Sequence, residues 1–120
     1  MRRGEVRLVS LDPALPGEAS KTRPCIVVSN DAANTAASRF GRGSVTIVPL
    51  TSSTGLAHPD FQILVDDEVE LRQMGLARQS KIQAEQVRTI ALSRIGELGG
   101  WTPLRVMRQV DDALRFHLSL

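Results

Sequence analysis

Tyrosine is absent from the 120 residues, cysteine occurs once, lysine twice, and the aromatic set is three phenylalanines and one tryptophan. Each shortage excludes something. A single cysteine, Cys25, rules out an intrachain disulfide and a paired-thiolate zinc site. The four aromatics, Phe40, Phe61, Trp101 and Phe116, cannot both fill a core and pave a sheet face for base stacking, which argues against an RRM- or OB-type module. The two histidines, His58 and His117, lie far apart with no ligand spacing, so no metal site and no histidine-pair ribonuclease is expected. His58, beside Pro59, reads as a surface or packing residue. No glycine-rich phosphate loop stands between a strand and a helix, and no repeat, heptad seam or charge block occurs. No apolar run is long enough for a bilayer and nothing resembles a signal peptide, so the expected compartment is the cytoplasm, with no membrane partner.

What is present suits one ordinary domain spanning residues 1–120. Its 42% apolar content is enough for a core without metals or cross-links. Net charge is only +2, yet arginine makes up thirteen of the fifteen basic residues, with Lys21 and Lys81 as the only lysines. Arginine's planar fork matches phosphate. The same bias is also what a GC-rich genome would produce, and composition leaves both explanations open.

Along the chain, "GEVRLVSL" alternates as a strand beginning near Gly4, and "DPALPGEASKT" reads as a long surface loop. "PCIVVS" is apolar on both faces and β-branched at Ile26, Val27 and Val28, the pattern of a strand covered on both sides. Cys25 inside it reads as a small core residue, with a reactive thiol the lesser alternative. "NDAANTAASRFGRG" allows a short helix capped at Asn30 or Asp31 and ended by glycine. "SVTIVPLT" is a strand that Pro49 is expected to stop or push to an edge. In "DFQILVDD", Phe61, Ile63 and Val65 share a face, and segments within "GLARQSKIQAEQVRTI" supply the last strands. "LSRIGELGG" is read as one or two helical turns. A C-terminal helix follows, with Thr102 as cap, Pro103 at its first position, Trp101 stapled to Val106, and a stripe of Leu104, Met107, Val110 and Leu114 widened by Val106 and Ala113.

Arg23 stands out locally. Pro24 has a fixed φ and biases the residue before it toward extended geometry, so Arg23 is held out of any helix where a loop enters a strand. A guanidinium held that way can be aimed.

Taken together, "RRGEVRLVSLDP", "KTRPCIVVSND", "TIVPLTSS" and "EQVRTIALSRIGELG" resemble, in order and spacing, the MazF/PemK family of toxin endoribonucleases across nearly the whole chain. The resemblance implies a mainly β fold with short helices, an SH3-like, partly open barrel with a C-terminal helix packed on it, working as a homodimer without cofactor or metal. It also implies cleavage of single-stranded RNA by the RNA's own 2′-OH, giving 2′,3′-cyclic phosphate and 5′-OH ends. A separate antitoxin chain with a disordered tail would neutralise the activity. By position in the motifs, Arg23 matches the catalytic arginine, Thr51 the catalytic hydroxyl, Glu18 a loop glutamate involved in binding or catalysis, and Gln86 a glutamine facing the RNA. Lys21, Ser52 and Lys81 complete the expected RNA-binding set. Where many relatives read Gly-Ser-Glu-Gln, this chain reads "PGEAS", so Gly17 and Ala19 replace two polar side chains, for which Ser20 and Ser52 are possible substitutes.

The chemistry of these residue types can be weighed separately. Internal attack needs a base for the 2′-proton, stabilisation of the extra charge on the phosphorane, and a proton for the departing 5′-oxygen. A guanidinium suits the second task, since preorganised donors of this kind contribute ~3–4 kcal/mol each. It suits the base role poorly because it keeps its proton at neutral pH. Arg23 is therefore read as charge stabiliser and proton donor, Thr51 as a donor to a non-bridging oxygen, and Glu18 as the candidate base. Two rivals remain. One is a non-catalytic, CcdB-like gyrase-binding toxin on the same barrel, and the other an inactive relative that only binds antitoxin or RNA.

Overall fold

The structure is a computed structural model describing residues 1–120. In chain order it contains β1 (Glu5–Ser10), β2 (Thr22–Val27), α1 (Asp31–Phe40), β3 (Ser44–Thr51), β4 (Gln62–Val65), α2 (Glu68–Met74), β5 (Ser80–Gln83), β6 (Arg88–Ala91), β7 (Ile95–Trp101) and α3 (Leu104–Leu118). Single 3-10 turns, Ala84–Gln86 and Leu92–Arg94, flank β6. Every pairing is antiparallel. The order is β4-β5-β3-β2-β1-β7, with β6 paired to the first half of β3. β4 and β7 are the free ends, so the barrel stays open, as the family pattern implies.

Alternation along the central strands divides the core into two layers. Val6, Ile26, Val48, Leu50 and Ile82 face the α3 side, where Val106, Met107, Val110 and Ala113 are buried against them. Val9, Cys25, Val27, Val45 and Ile47 face the other side and are covered by Ala37 of α1, Leu11 and Ile90. This explains why "PCIVV" is apolar at every position. α1 has the expected ends, with Asn30 Oδ1 accepting from Ala33 N–H at 2.8 Å and Gly41 closing the last turn at φ 64°.

Several sequence expectations need correction. β3 runs through Pro49 and lies in the middle of the sheet. Val28 N–H donates to Thr46 O at 2.9 Å, and this fixes the alternation so that Ile26 and Val48 exchange bonds while Cys25 and Pro49 do not. The proline nitrogen therefore faces the other edge. There it falls between the β6 pairing, which ends at Ile47, and the β5 pairing, which begins at Leu50. No ladder bond is lost.

"LSRIGELGG" forms one 3-10 turn and then strand β7, not a helix. Its glycines permit a close approach to α2: a Cβ on Gly100 would stand 2.4 Å from Gln73 O. α2 itself was not anticipated, although Asp67 caps it through Glu70 N–H at 3.0 Å. At α3 the Thr102 hydroxyl is buried without a partner and makes no cap, and Leu104 is exposed.

Candidate active site

The register of three strands assembles the cleft. Cys25 lies opposite Pro49, and continuing that pairing two residues toward the loop sets Arg23 of β2 opposite Thr51, the last residue of β3. Thr51 in turn lies opposite Lys81 of β5. Period-two alternation then places Arg23, Thr51, Lys81 and Gln83 on one face, while Pro24, Leu50 and Ile82 turn to the other. Leu50 and Ile82 are core residues, so packing of that layer holds the four polar side chains outward. The loop between β1 and β2 arches over this face. The resulting cleft of about 360 Å³ is lined by Gly17, Glu18, Ala19, Arg23, Thr51, Ser53, Lys81, Gln83 and Gln86.

Arg23 is half-buried and donates from Nε to Ser20 O at 2.7 Å; its two terminal nitrogens make no hydrogen bond. None of the chain's four ion pairs, Arg3–Asp111, Arg7–Glu5, Arg105–Glu70 and Arg115–Asp112, involves Arg23. A guanidinium anchored through Nε with both NH₂ groups free is set up for bidentate contact with a phosphate.

Glu18 closes a turn at the loop tip. Its N–H donates to Leu15 O at 3.0 Å, and its Oε1 accepts from Leu15 N–H at 2.6 Å. The second carboxylate oxygen has no protein partner and remains available to a ligand. Thr51 Oγ1 accepts from Ser53 N–H at 3.2 Å, which leaves its own proton for an outside acceptor. Lys81 Nζ reaches Leu56 O at 3.5 Å. The base of the loop is tied by Leu11 N–H to Lys21 O, Lys21 N–H to Asp12 Oδ1, and Arg94 to the carbonyls of Ser10 and Asp12.

Of the seven site residues expected from sequence, Glu18, Arg23, Thr51, Lys81 and Gln86 meet in this cleft. Lys21 and Ser52 do not line it. Lys21 has φ 67° at the loop's exit and is exposed. Ser52 lines an adjoining cleft of about 260 Å³ with Pro24, Leu76 and Arg78; Thr51 belongs to both clefts. Ser53 and Gln83 were missed, and parity could have found them, since residues i and i+2 of an extended chain share a face.

Cys25 lies beneath Arg23 and is fully buried; burial pushes its thiol up to about 12, against a smaller downward pull from Arg23 and Arg88. It is a neutral core thiol, not a nucleophile. The largest cavity, about 600 Å³, lies elsewhere, between β4 and α3. Asp60 and Asp112 on its wall disfavour a phosphate, which leaves the smaller cleft as the candidate site. His58 stacks on Phe61 with centroids 4.2 Å apart, outside the cleft.

Solved structures share this fold. MazF (form I) from Deinococcus radiodurans superposes with a TM-score of 0.79, at 21% identity over 100% of this chain and 97% of that one. An endoribonuclease in complex with its cognate antitoxin, from a mycobacterial species, superposes with a TM-score of 0.74, at 22% identity over 100% and 96%. The fold class is thus an open antiparallel barrel of the kind these toxins share. At the level of sequence, residues 2–118 match the family described as PemK-like, MazF-like toxin of type II toxin-antitoxin system, and the chain belongs to that family. Endoribonuclease MazF9 of Mycobacterium tuberculosis is 45% identical over 120 residues, covering 100% of this chain and 98% of that protein. Endoribonuclease EndoA of Bacillus subtilis is 28% identical over 120 residues, covering 100% and 96%.

Proposed function

We propose that the chain is a sequence-specific, metal-independent endoribonuclease toxin that cuts single-stranded RNA through the substrate's 2′-OH. The observation that carries this reading is the unpaired Arg23 fork sharing one cleft with the Thr51 hydroxyl and the Glu18 carboxylate. Membership of a toxin family, with relatives named endoribonucleases, supports the reaction class.

The free oxygen of Glu18 takes the 2′-proton as the 2′-oxygen bonds to phosphorus. Arg23 and the Thr51 hydroxyl stabilise the charge that builds on the non-bridging oxygens. As the bond from phosphorus to the 5′-oxygen breaks, the departing alkoxide, a stronger base than neutral guanidine, takes a proton from Arg23. A 2′,3′-cyclic phosphate and a 5′-OH result. Lys81 and Ser53 contact the strand within the cleft, and Ser52 and Arg78 contact it beyond Thr51, where the second cleft continues the path. Such contacts make binding salt-sensitive.

The proposed assembly is one domain over residues 1–120, acting in the cytoplasm as a homodimer and restrained by a separate antitoxin whose disordered tail folds across the cleft. No helix is long and apolar enough to cross a membrane. The test is to incubate the purified chain with a long RNA and with its all-DNA counterpart in EDTA, then sequence the new 5′ ends. Cuts in RNA alone, clustered at one short motif, are expected. Equal cutting of DNA, or intact RNA, would sink the reading.

A further inference from the structure

The Gln86 side chain, half-buried in the wall of the cleft, reaches the loop between β1 and β2. Its Oε1 accepts from Ala19 N–H at 3.1 Å and its Nε2 donates to Gly17 O at 3.2 Å, so both ends of one amide grip the loop on either side of Glu18. The two gripped positions are the ones that lack polar side chains. Gly17 adopts φ 90°, a left-handed geometry that favours glycine, and thereby presents its carbonyl to the amide.

The anchor on the other side of this contact is firm. Gln86 ends the 3-10 turn Ala84–Gln86, where Ala84 is fully buried and Val87 N–H donates to Ala84 O at 3.2 Å. Ala84 N–H also donates to Phe61 O at 3.1 Å, tying the turn to the segment that enters β4. A surface loop rich in proline, glycine and small residues is thus held at its tip by a side chain mounted on the core.

We infer that Gln86 is a positioning residue that fixes Glu18 over the cleft through the backbone of Gly17 and Ala19, and that it does not read the RNA. The expected RNA-facing role would need an amide free to swing onto a base edge, whereas here its oxygen and one of its two N–H groups are held by the loop backbone, which fixes the amide plane and leaves a single N–H outside the grip. The inference rests on the proposed cleavage reaction for its kinetic consequence, but the grip itself can be measured without activity.

The test uses the full chain with Gln86→Leu, which removes both bonds at similar volume, and Gln86→Glu, which keeps the acceptor for Ala19 N–H but sets a carboxylate against Gly17 O. RNA affinity is measured on a strand carrying 2′-deoxyribose at the cut site. Gln86→Leu is expected to lower kcat by about tenfold to a hundredfold, the range for a displaced catalytic group. Affinity and cleavage motif should stay unchanged, and hydrogen exchange at the Ala19 amide should accelerate. Gln86→Glu should fall between Gln86→Leu and wild type in both kcat and exchange. In a Glu18→Gln background, Gln86→Leu should cost little more, since residues acting through one group are non-additive.

Weaker binding at unchanged kcat, an altered cleavage motif, or unchanged Ala19 exchange would overturn the inference. A wild-type chain that leaves RNA intact would instead overturn the cleavage reading, and Ala19 exchange would still decide whether Gln86 holds the loop.

Discussion

Arg7 and Arg23 sit on adjacent strands, one opposite Cys25 and the other two residues along from it, yet their surroundings divide their roles. Arg7 donates from Nε to Glu5 Oε2 at 2.9 Å and from a terminal nitrogen to Gly96 O at 3.2 Å. Glu5 is buried, so Arg7 neutralises a carboxylate that could not otherwise remain there. Arg23 donates one nitrogen to a backbone carbonyl and forms no ion pair. Composition treats these two arginines alike, and the partners each one meets set them apart.

The sharpest way to break this contrast is to remove each guanidinium in turn. Arg23→Met should lower kcat by about a thousandfold, the upper range for a lost oxyanion donor, with an unchanged denaturation midpoint. Thr51→Val should cost about a hundredfold, because one neutral hydroxyl is a weaker donor than a cationic fork. Arg7→Met should do the reverse, costing about 3 kcal/mol of stability by stranding Glu5, while the folded fraction cleaves at the wild-type rate. Urea titration together with initial rates on one RNA decides all three. A stable but inactive Arg7→Met, or an unstable Arg23→Met, would erase the distinction.

Smaller effects sharpen it. If Arg78 contacts a phosphate beyond Thr51, Arg78→Ala should flatten the slope of log affinity against log salt by about 0.7, one contact's worth for a single strand. Cys25, under Arg23, should resist iodoacetamide at pH 8 and react once unfolded. Its folded value, near 12 against an ordinary 9.0, lies above the unfolded one. The stability it contributes is therefore complete below pH 9 and lost as pH rises toward 12. Rapid alkylation of the folded chain would contradict this.

How much was legible in the sequence depended on whether the signal was local. Pro24 marks Arg23 as extended, the β-branched run marks β2 as covered on both faces, and Asn30 with Gly41 bounds α1. Each works through its immediate neighbours. Pro49 misled because its acceptability inside β3 depends on which edge its nitrogen faces, and that is set by pairing with β2, β5 and β6. "LSRIGELGG" misled because its glycines serve a close approach of β7 to α2, which no local pattern reveals. The ends of α2 were written in Asp67 and Gly75 but its seven residues carry little periodicity. Within the candidate site, motif position pointed to Arg23, Thr51 and Glu18, which share one cleft. Parity beyond Thr51 would have selected Ser53 over Ser52, and the grip of Gln86 on the loop backbone needed the folded loop to be seen.

In the proposed reaction an unpaired guanidinium and a neighbouring hydroxyl stabilise the phosphorane formed when the RNA's own 2′-oxygen attacks. The most direct test is end-group analysis of a short RNA cut in EDTA, alongside the same strand with a single 2′-deoxyribose at the cut site. The expected result is 2′,3′-cyclic phosphate and 5′-OH ends from the first strand and no cut at that position in the second. A 5′-phosphate product, or cleavage that survives the 2′-deoxy substitution, would contradict it.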